Sequence, residues 1–521
     1  MIETAKWRWA DRGPAAIYLL PLLVGLLLAR LPLIWAAGLV VGTAVLVLLI
    51  VRPIVGLGLA LLLGPMGALE SILLGSMGLD SGQIMLLLAL AAWLARSLRR
   101  RQIIIPHTFL NVPLLLFLFV MGLTLLNAPS ITIGFKELLK WVEIMLVIWL
   151  VVDMGMEKAE IRRQKSEGRN QKAEGRKWKV DDIHPSTFIL LPLLFAGAVQ
   201  ALVGIWQFGL RGDGPKHFLV LGRFYRAYGT FEQPNPFGGF MNLSALLALG
   251  ALVGYVVYFW QGRRGAGEQG SKGSPFHPFT RSPLLLLAGA TAVTTAALIA
   301  SWSRGAWLGF AAGTAVLIFF WPKKRWQGIV MLAVGAALLL VGMQFNLIPA
   351  SITERVTSFS QDLQFGDVRG VDINDANYAV LERLAHWQAA LGMARDHVWL
   401  GVGFGNYEPA YADYALINWP APLGHAHNYY LNLLAETGII GLTAYLLLWM
   451  AVFWQTICLL KRLDWPERGI ALGLLAAWTA TAVHHLVDKL YVNNIYVHVG
   501  VMLALLQLLD YKTNDYSTTR L

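Results

Sequence analysis

The sequence predicts an all-α polytopic membrane protein with about 12–14 transmembrane helices and one large extracytoplasmic loop. Three observations carry this. Hydrophobic residues make up 56% of the chain against 14% charged, and the mean hydropathy of +0.56 is too high for a soluble globule of 521 residues. Apolar runs of about 17–25 residues recur, long enough to cross a bilayer core of about 30 Å. Most of the 42 lysines and arginines fall in alternate connections between those runs.

The predicted spans, in order, lie near 15–30, 33–51, 53–66, 82–96, 108–127, 136–154, 186–208, 237–260, 283–301, 305–321, 327–348, 428–456, 469–486 and 494–510. No small-residue cleavage site follows the first run, so it reads as an uncleaved span. Gly64, Pro65 and Glu70 make 53–78 a candidate broken or re-entrant span, with Glu70 a possible charge at mid-membrane depth. With both termini inside, the basic clusters at 96–101, 155–185, 261–282, 323–325 and 461–468 are all cytoplasmic, as the positive-inside rule demands. The chain then divides into N-terminal spans (1–154), a cytoplasmic insertion (155–185), central spans (186–348), a large outer loop (349–427), C-terminal spans (428–510) and a cytoplasmic tail (511–521).

The insertion contains the near-repeat QKSEGRN, QKAEGRK and reads as disordered, with contact to anionic lipid headgroups as its functional alternative. The outer loop is richer in aromatics. Within it, Ala379–Arg395 predicts an amphipathic helix with Leu384, Trp387, Leu391 and Ala394 on one face. Its aromatics suit sugar rings and equally suit an interfacial belt. Net charge of +11 does not indicate nucleic acid, because the basic residues sit in short loops. The lone Cys458 excludes an intrachain disulfide and a cysteine metal cluster. Absence of Asp-x-Asp, G-x-x-x-x-G-K-[ST] and H-E-x-x-H removes the simplest sugar-nucleotide, ATPase and zinc-protease readings.

Polar residues at the outer boundary are the functional candidates, since ionisable groups there are costly. Arg223, Arg226, Glu232 and Asn235 lie in GRFYRAYGTFEQPNPFGGF, Arg304 in the turn SWSRGAW, and His425, His427, Asn428 and Glu436 in GHAHNYYLNLLAETGIIG. An arginine in a tight outer turn gains nothing from positive-inside bias, although snorkelling to headgroups would also place it there. The histidines would equally serve as interfacial polar residues at a helix start.

Taken together, RAYGTFEQPN, SWSRGAWLG, RLAHWQAALGMARDHVWLGVGFGNY and HAHNYYLNLLAETGIIGL resemble the O-antigen ligase and O-antigen polymerase superfamily over about 220–445. Val398 follows His397 where relatives often carry proline, and the 155–185 insertion is not a family feature. The resemblance implies glycosyl transfer from a polyprenyl-diphosphate-linked glycan to a glycan or lipid acceptor hydroxyl. It places this chemistry on the outer face of the cytoplasmic membrane, among membrane lipids and with no metal or other cofactor.

Bidentate guanidiniums suit a diphosphate leaving group, which makes Arg226 and Arg304 the candidate clamp, with Arg223 as substitute. His427 is the candidate general base, with His425, Glu232, His484, His485 and Asp488 behind it. Arg223, Glu232, Asn235, Arg383, Trp387, Asn428 and Glu436 are the candidate substrate-binding residues, Glu436 in an orienting role. Polymerase is preferred over ligase because it assumes no lipopolysaccharide acceptor. A transporter or flippase of lipid-linked oligosaccharide is the alternative. It would draw on Glu70 and on the ladder Lys136, Glu137, Lys140 and Glu143, but it lacks an internal repeat.

Overall fold

The computed structural model describes residues 25–26, 29–75, 78–101, 105–167, 185–268, 278–357, 367–374 and 377–513. Most of the expected first span, the repeat-bearing part of the insertion and the end of the tail lie outside these residues. Among the described residues the regular secondary structure is helical except for one two-stranded hairpin, β1 (Leu219–Val220) with β2 (Phe224–Tyr225).

The first half runs through α1 (Leu33–Val51), α2 (Pro53–Leu63), α3 (Gly67–Leu74), α4 (Ser81–Arg99), α5 (Asn111–Thr124), α6 (Ile131–Glu167) and α7 (Pro185–Gly209). The central helices are α8 (Pro234–Glu268), α9 (Pro278–Ala300), α10 (Arg304–Phe320) and α11 (Arg325–Gln344). The large loop contains α12 (Ala350–Thr357), α13 (Tyr378–Asp396) and α14 (Tyr407–Ala410); α15 (Tyr429–Leu459), α16 (Glu467–His484) and α17 (Ile495–Thr513) follow. Among the described residues, eight helices are long and apolar enough to cross a membrane, and three shorter apolar helices accompany them. The chain is a multi-pass membrane protein.

Backbone groups have no water to bond in a bilayer core, so helices satisfy them internally, and small residues let helix axes approach closely. This is how α16 becomes the central helix. Ile470–Trp478 are almost wholly buried, and α16 packs against both α8 and α10. A Cβ at Gly469 would lie 2.3 Å from Gly254 Cα, and one at Gly313 2.6 Å from Ala476 O, so neither contact admits a larger residue. The outermost helices, α1 and α11, expose apolar side chains such as Leu33 and Leu338, as lipid-facing helices do.

Four local readings change. Helix α6 continues to Glu167, so the insertion begins as helix rather than as an irregular segment. Glu70 is a partnered carboxylate: it accepts from the Ser81 backbone N–H (2.8 Å) and hydroxyl, at the N-terminus of α4. Helix α13 buries Leu381, Ala385, Ala389, Ala390, Met393 and Ala394, while Leu391 is exposed; its alanine-rich face packs closely against Tyr407 and Tyr411. Lastly, α15 is broken at Gly438 (φ 62°, ψ −166°).

The loop at 397–406 stitches that break. Ile439 and Ile440 N–H donate to Val398 O (2.8 Å) and Trp399 O (3.3 Å), and Val402 and Gly403 N–H donate to Ala435 O (3.0 Å) and Glu436 O (2.8 Å). Cβ atoms would come within 2.4 Å of Trp399 C at Gly438 and 2.3 Å of Glu436 C at Gly401, and both residues have positive φ, so glycine is required at each. Glu436 completes the junction by accepting from Gly405 N–H (3.0 Å) and Tyr407 N–H (3.2 Å).

Candidate active site

Helix ends converge on one cleft with about 770 Å³ of unfilled space. Its lining contains four arginines. Arg226 comes from the α7–α8 connection, Arg304 from the first turn of α10, Arg355 from α12 and Arg383 from α13. Asn235, Trp387 and His484 join them, and no aspartate or glutamate lines the cleft among the described residues.

The turn between α9 and α10 organises the first two arginines. Ser303 caps α10 by accepting from Ala306 N–H (3.4 Å) and donates to Asn235 Oδ1 (2.9 Å). Arg226 donates from Nε to Ser301 O (3.0 Å) and from Nη2 to the same Asn235 oxygen (3.2 Å). Arg355 Nη2 donates to Trp302 O (3.1 Å). Two motifs far apart in sequence and the start of the large loop are thereby fixed around one turn. Burial and the guanidiniums of Arg355, Arg383 and Arg304 lower the Arg226 pKa to about 9, which leaves it charged at neutral pH. An anion with several oxygens would relieve that repulsion.

A histidine cluster sits beside the cleft. His427 packs edge-on against His425 and His386, with ring centroids 4.4 and 5.7 Å away. His386 Nδ1 is 2.9 Å from Tyr407 Oη, and its ring stacks on Tyr411. His425 Nε2 lies 3.4 Å from Asp488 Oδ1, while His425 Nδ1 accepts from the His427 backbone N–H (3.3 Å). The Nε2 of His427 is buried with no hydrogen-bond partner. Burial, His425 and Arg383 depress the His427 pKa to about 3 against the opposing pull of Asp488, so its imidazole is neutral. Ligand atoms of His425, His427 and Asp488 lie within 4.8 Å of one another. They are the residues that could hold a cation, after closing to the roughly 2.0–2.2 Å ligand distances such ions take.

Of the sequence-predicted residues, Arg226, Arg304, Asn235, Arg383 and Trp387 share the cleft, and the back-up base His484 also lines it. His427 neighbours it through Arg383. Others lie elsewhere. Arg223 is exposed with its guanidinium over Phe224. Glu232 lines a second cavity. Asn428 caps α15, accepting from Tyr430 N–H (3.0 Å) and Leu431 N–H (3.1 Å). Glu436 holds the 401–407 loop, and His485 is enclosed by Tyr429 and Tyr491. Arg355 was not singled out from the sequence. It lies in an eight-residue helix with no motif around it, so only the three-dimensional arrangement brings it to the other arginines.

Residues 289–446 match the O-antigen ligase family. That stretch carries Arg304, Arg355, Arg383 and His427, whereas Arg226 and His484 lie outside it. No curated protein matches the chain. Members of this family are enzymes whose substrates are lipid-linked glycans. Residues 289–446, which carry Arg304, Arg355, Arg383, His425, His427 and the break at Gly438, are thus an O-antigen ligase family domain within a multi-pass membrane protein.

Proposed function

We propose that the chain transfers a glycan from a polyprenyl-diphosphate carrier to an acceptor hydroxyl on the outer face of the cytoplasmic membrane. The convergence of four guanidiniums on one cleft carries this reading. A diphosphate gains negative charge as it leaves the sugar C1. Arginines fixed in a water-poor cleft stabilise that charge without reorganising. In this reading they also do the work a divalent ion does elsewhere, so transfer needs no metal.

The bond changes balance simply. The acceptor oxygen attacks C1, the C1–O bond to the diphosphate breaks, and the hydroxyl proton passes to His427 Nε2. A base with a pKa of about 3 is weak for this task, since efficiency peaks near the working pH. Donor binding corrects this. The bound diphosphate offsets Arg383 and the other guanidiniums, raising the His427 pKa once substrate is present. Asp488 orients His425, and His425 in turn receives the His427 backbone.

The acceptor is a second lipid-linked glycan in the polymerase reading, which we prefer, and a lipid anchor in the ligase reading. Glycan from a clean deletion strain tests this. Loss of chain length with single units still attached supports polymerase, and loss of attachment supports ligase. Impermeant labelling of cysteines placed beside Arg226, at Trp302–Gly305 and beside Trp419 tests the outward orientation. Labelling of any of them only after permeabilisation refutes it.

A further inference from the structure

A second cavity, with about 660 Å³ of unfilled space, backs onto the same two segments as the arginine cleft. The α7–α8 connection gives Arg226 to the cleft and Glu232 to this cavity. The segment after α16 gives Val487 to the cleft and Tyr491, Asn493 and Asn494 to the cavity. The broken span α2–α3 closes one wall, and Asp80 and Gln83 at the start of α4 another.

Its chemistry differs from that of the cleft. Two carboxylates, Asp80 and Glu232, face one ammonium, Lys140, so the lining is unsuited to phosphate. The exposed Glu232 carboxylate and the side-chain oxygens of Asn493 and Asn494 supply acceptors, and the Lys140 ammonium supplies donors, a mixture that sugar hydroxyls can pair with.

The wall is also held in place. Asn494 Nδ2 donates to Asp80 Oδ2 (2.7 Å) and to Gly64 O (3.1 Å) at the break of the span. Asp80 Oδ1 accepts from Gln83 N–H (2.8 Å), and Asn493 Nδ2 donates to Phe231 O (3.2 Å). Glu232, Asn493 and Asn494 all take left-handed backbone conformations, with φ of 61°, 46° and 57°. Asparagine takes this conformation readily, but for Glu232 it costs energy, and such strain concentrates at binding sites.

We infer that this cavity is a carbohydrate subsite that binds the uncharged sugar residues of a lipid-linked glycan next to the diphosphate cleft. The inference rests on the proposed glycan transfer. The glycan is either the donor's own sugars beyond C1 or the acceptor's terminal sugars, and the recognition chemistry is the same for both.

The test uses full-length protein in lipid nanodiscs and two probes. Farnesyl diphosphate reports the arginine cleft. Oligosaccharide released by mild acid from the carrier-linked pool reports the cavity. Wild type should bind both. Ser71→Trp, at an exposed position on the cavity wall, and Asn493→Ala should each weaken oligosaccharide binding at least 10-fold and leave farnesyl diphosphate binding unchanged, which also shows that the variants are folded. If the carrier-linked oligosaccharide displaces both probes in one saturation, the cavity holds donor sugars; if oligosaccharide and carrier-linked donor saturate independently, it holds the acceptor. Oligosaccharide binding that survives both variants overturns the subsite. So does wild type that binds farnesyl diphosphate but no oligosaccharide, and that result leaves the diphosphate reading standing. Failure of wild type to bind farnesyl diphosphate counts against the cleft instead.

Discussion

Replacing Arg355 is the most informative perturbation of the cleft, because this residue enters from the structure alone. In Arg355→Gln the side chain keeps much of its length but loses its charge and its fork. A hydrogen bond to a charged group contributes about 1.5–3 kcal/mol. If Arg355 engages the diphosphate, farnesyl diphosphate binding should therefore weaken about 10- to 150-fold. Stability should change little, for two opposing reasons. The bond from Arg355 to Trp302 O is lost, at about 1 kcal/mol. Against this, the charge of Arg355 depresses the Arg226 pKa, so removing it relieves repulsion within the cluster. The assay is titration of nanodisc-embedded protein with farnesyl diphosphate, alongside a thermal melt. Arg355→Lys should recover part of the affinity, because an ammonium keeps the charge without the planar fork. Unchanged affinity in Arg355→Gln, with an unchanged melt, would refute a four-arginine clamp.

Further outcomes follow from the same geometry. His427→Ala should lower the transfer rate by about two to four orders of magnitude while farnesyl diphosphate binding persists, because binding rests on the arginines. For pH, His427 and His386 have folded pKa values of about 3 and about 4, below the ordinary 6.5. Unfolding therefore takes up protons below pH 6.5, so stability should fall as pH drops through that window towards 4, and melts at stepped pH would show it. Over the same range the uncomplexed His427 stays neutral, so kcat/KM should fall with acid only as the melt does, whereas kcat should fall at the raised pKa of the donor-bound His427. Gly438→Ala should destabilise the protein by about 1–3 kcal/mol, since its Cβ would meet Trp399 C at 2.4 Å with φ at 62°. A melt equal to wild type would show that the junction relaxes freely.

Much of this was legible in the chain, and the exceptions have physical reasons. Span positions follow from hydropathy, and α9 through α11 fall within a few residues of the predicted runs, while α8 continues past its apolar run to Glu268. Arg226 and Arg304 could be paired from topology alone, since both occupy connections at the same end of the bundle. Arg355 could not, because α12 has eight residues and no motif around it. The break at Gly438 was hidden because a glycine in an apolar run reads as a packing residue. The clue was distant: Gly401, Gly403 and Gly405 alternate where another backbone must approach. The predicted face of α13 does not hold together, because Leu391 is exposed and Ala394 buried. Leu384 and Trp387 instead line the cleft, and small alanines face the buried tyrosines.

The most direct test of glycan transfer by this chain is a reconstituted reaction. Purified protein in lipid is given carrier-linked glycan and acceptor, with chelator present and no nucleotide added, and the products are resolved by mass. A new glycosidic bond formed together with free polyprenyl diphosphate, and lost in Arg226→Ala and Arg304→Ala, is the predicted result. Movement of intact carrier-linked glycan between leaflets, with no new bond to any acceptor, would contradict it and favour transport.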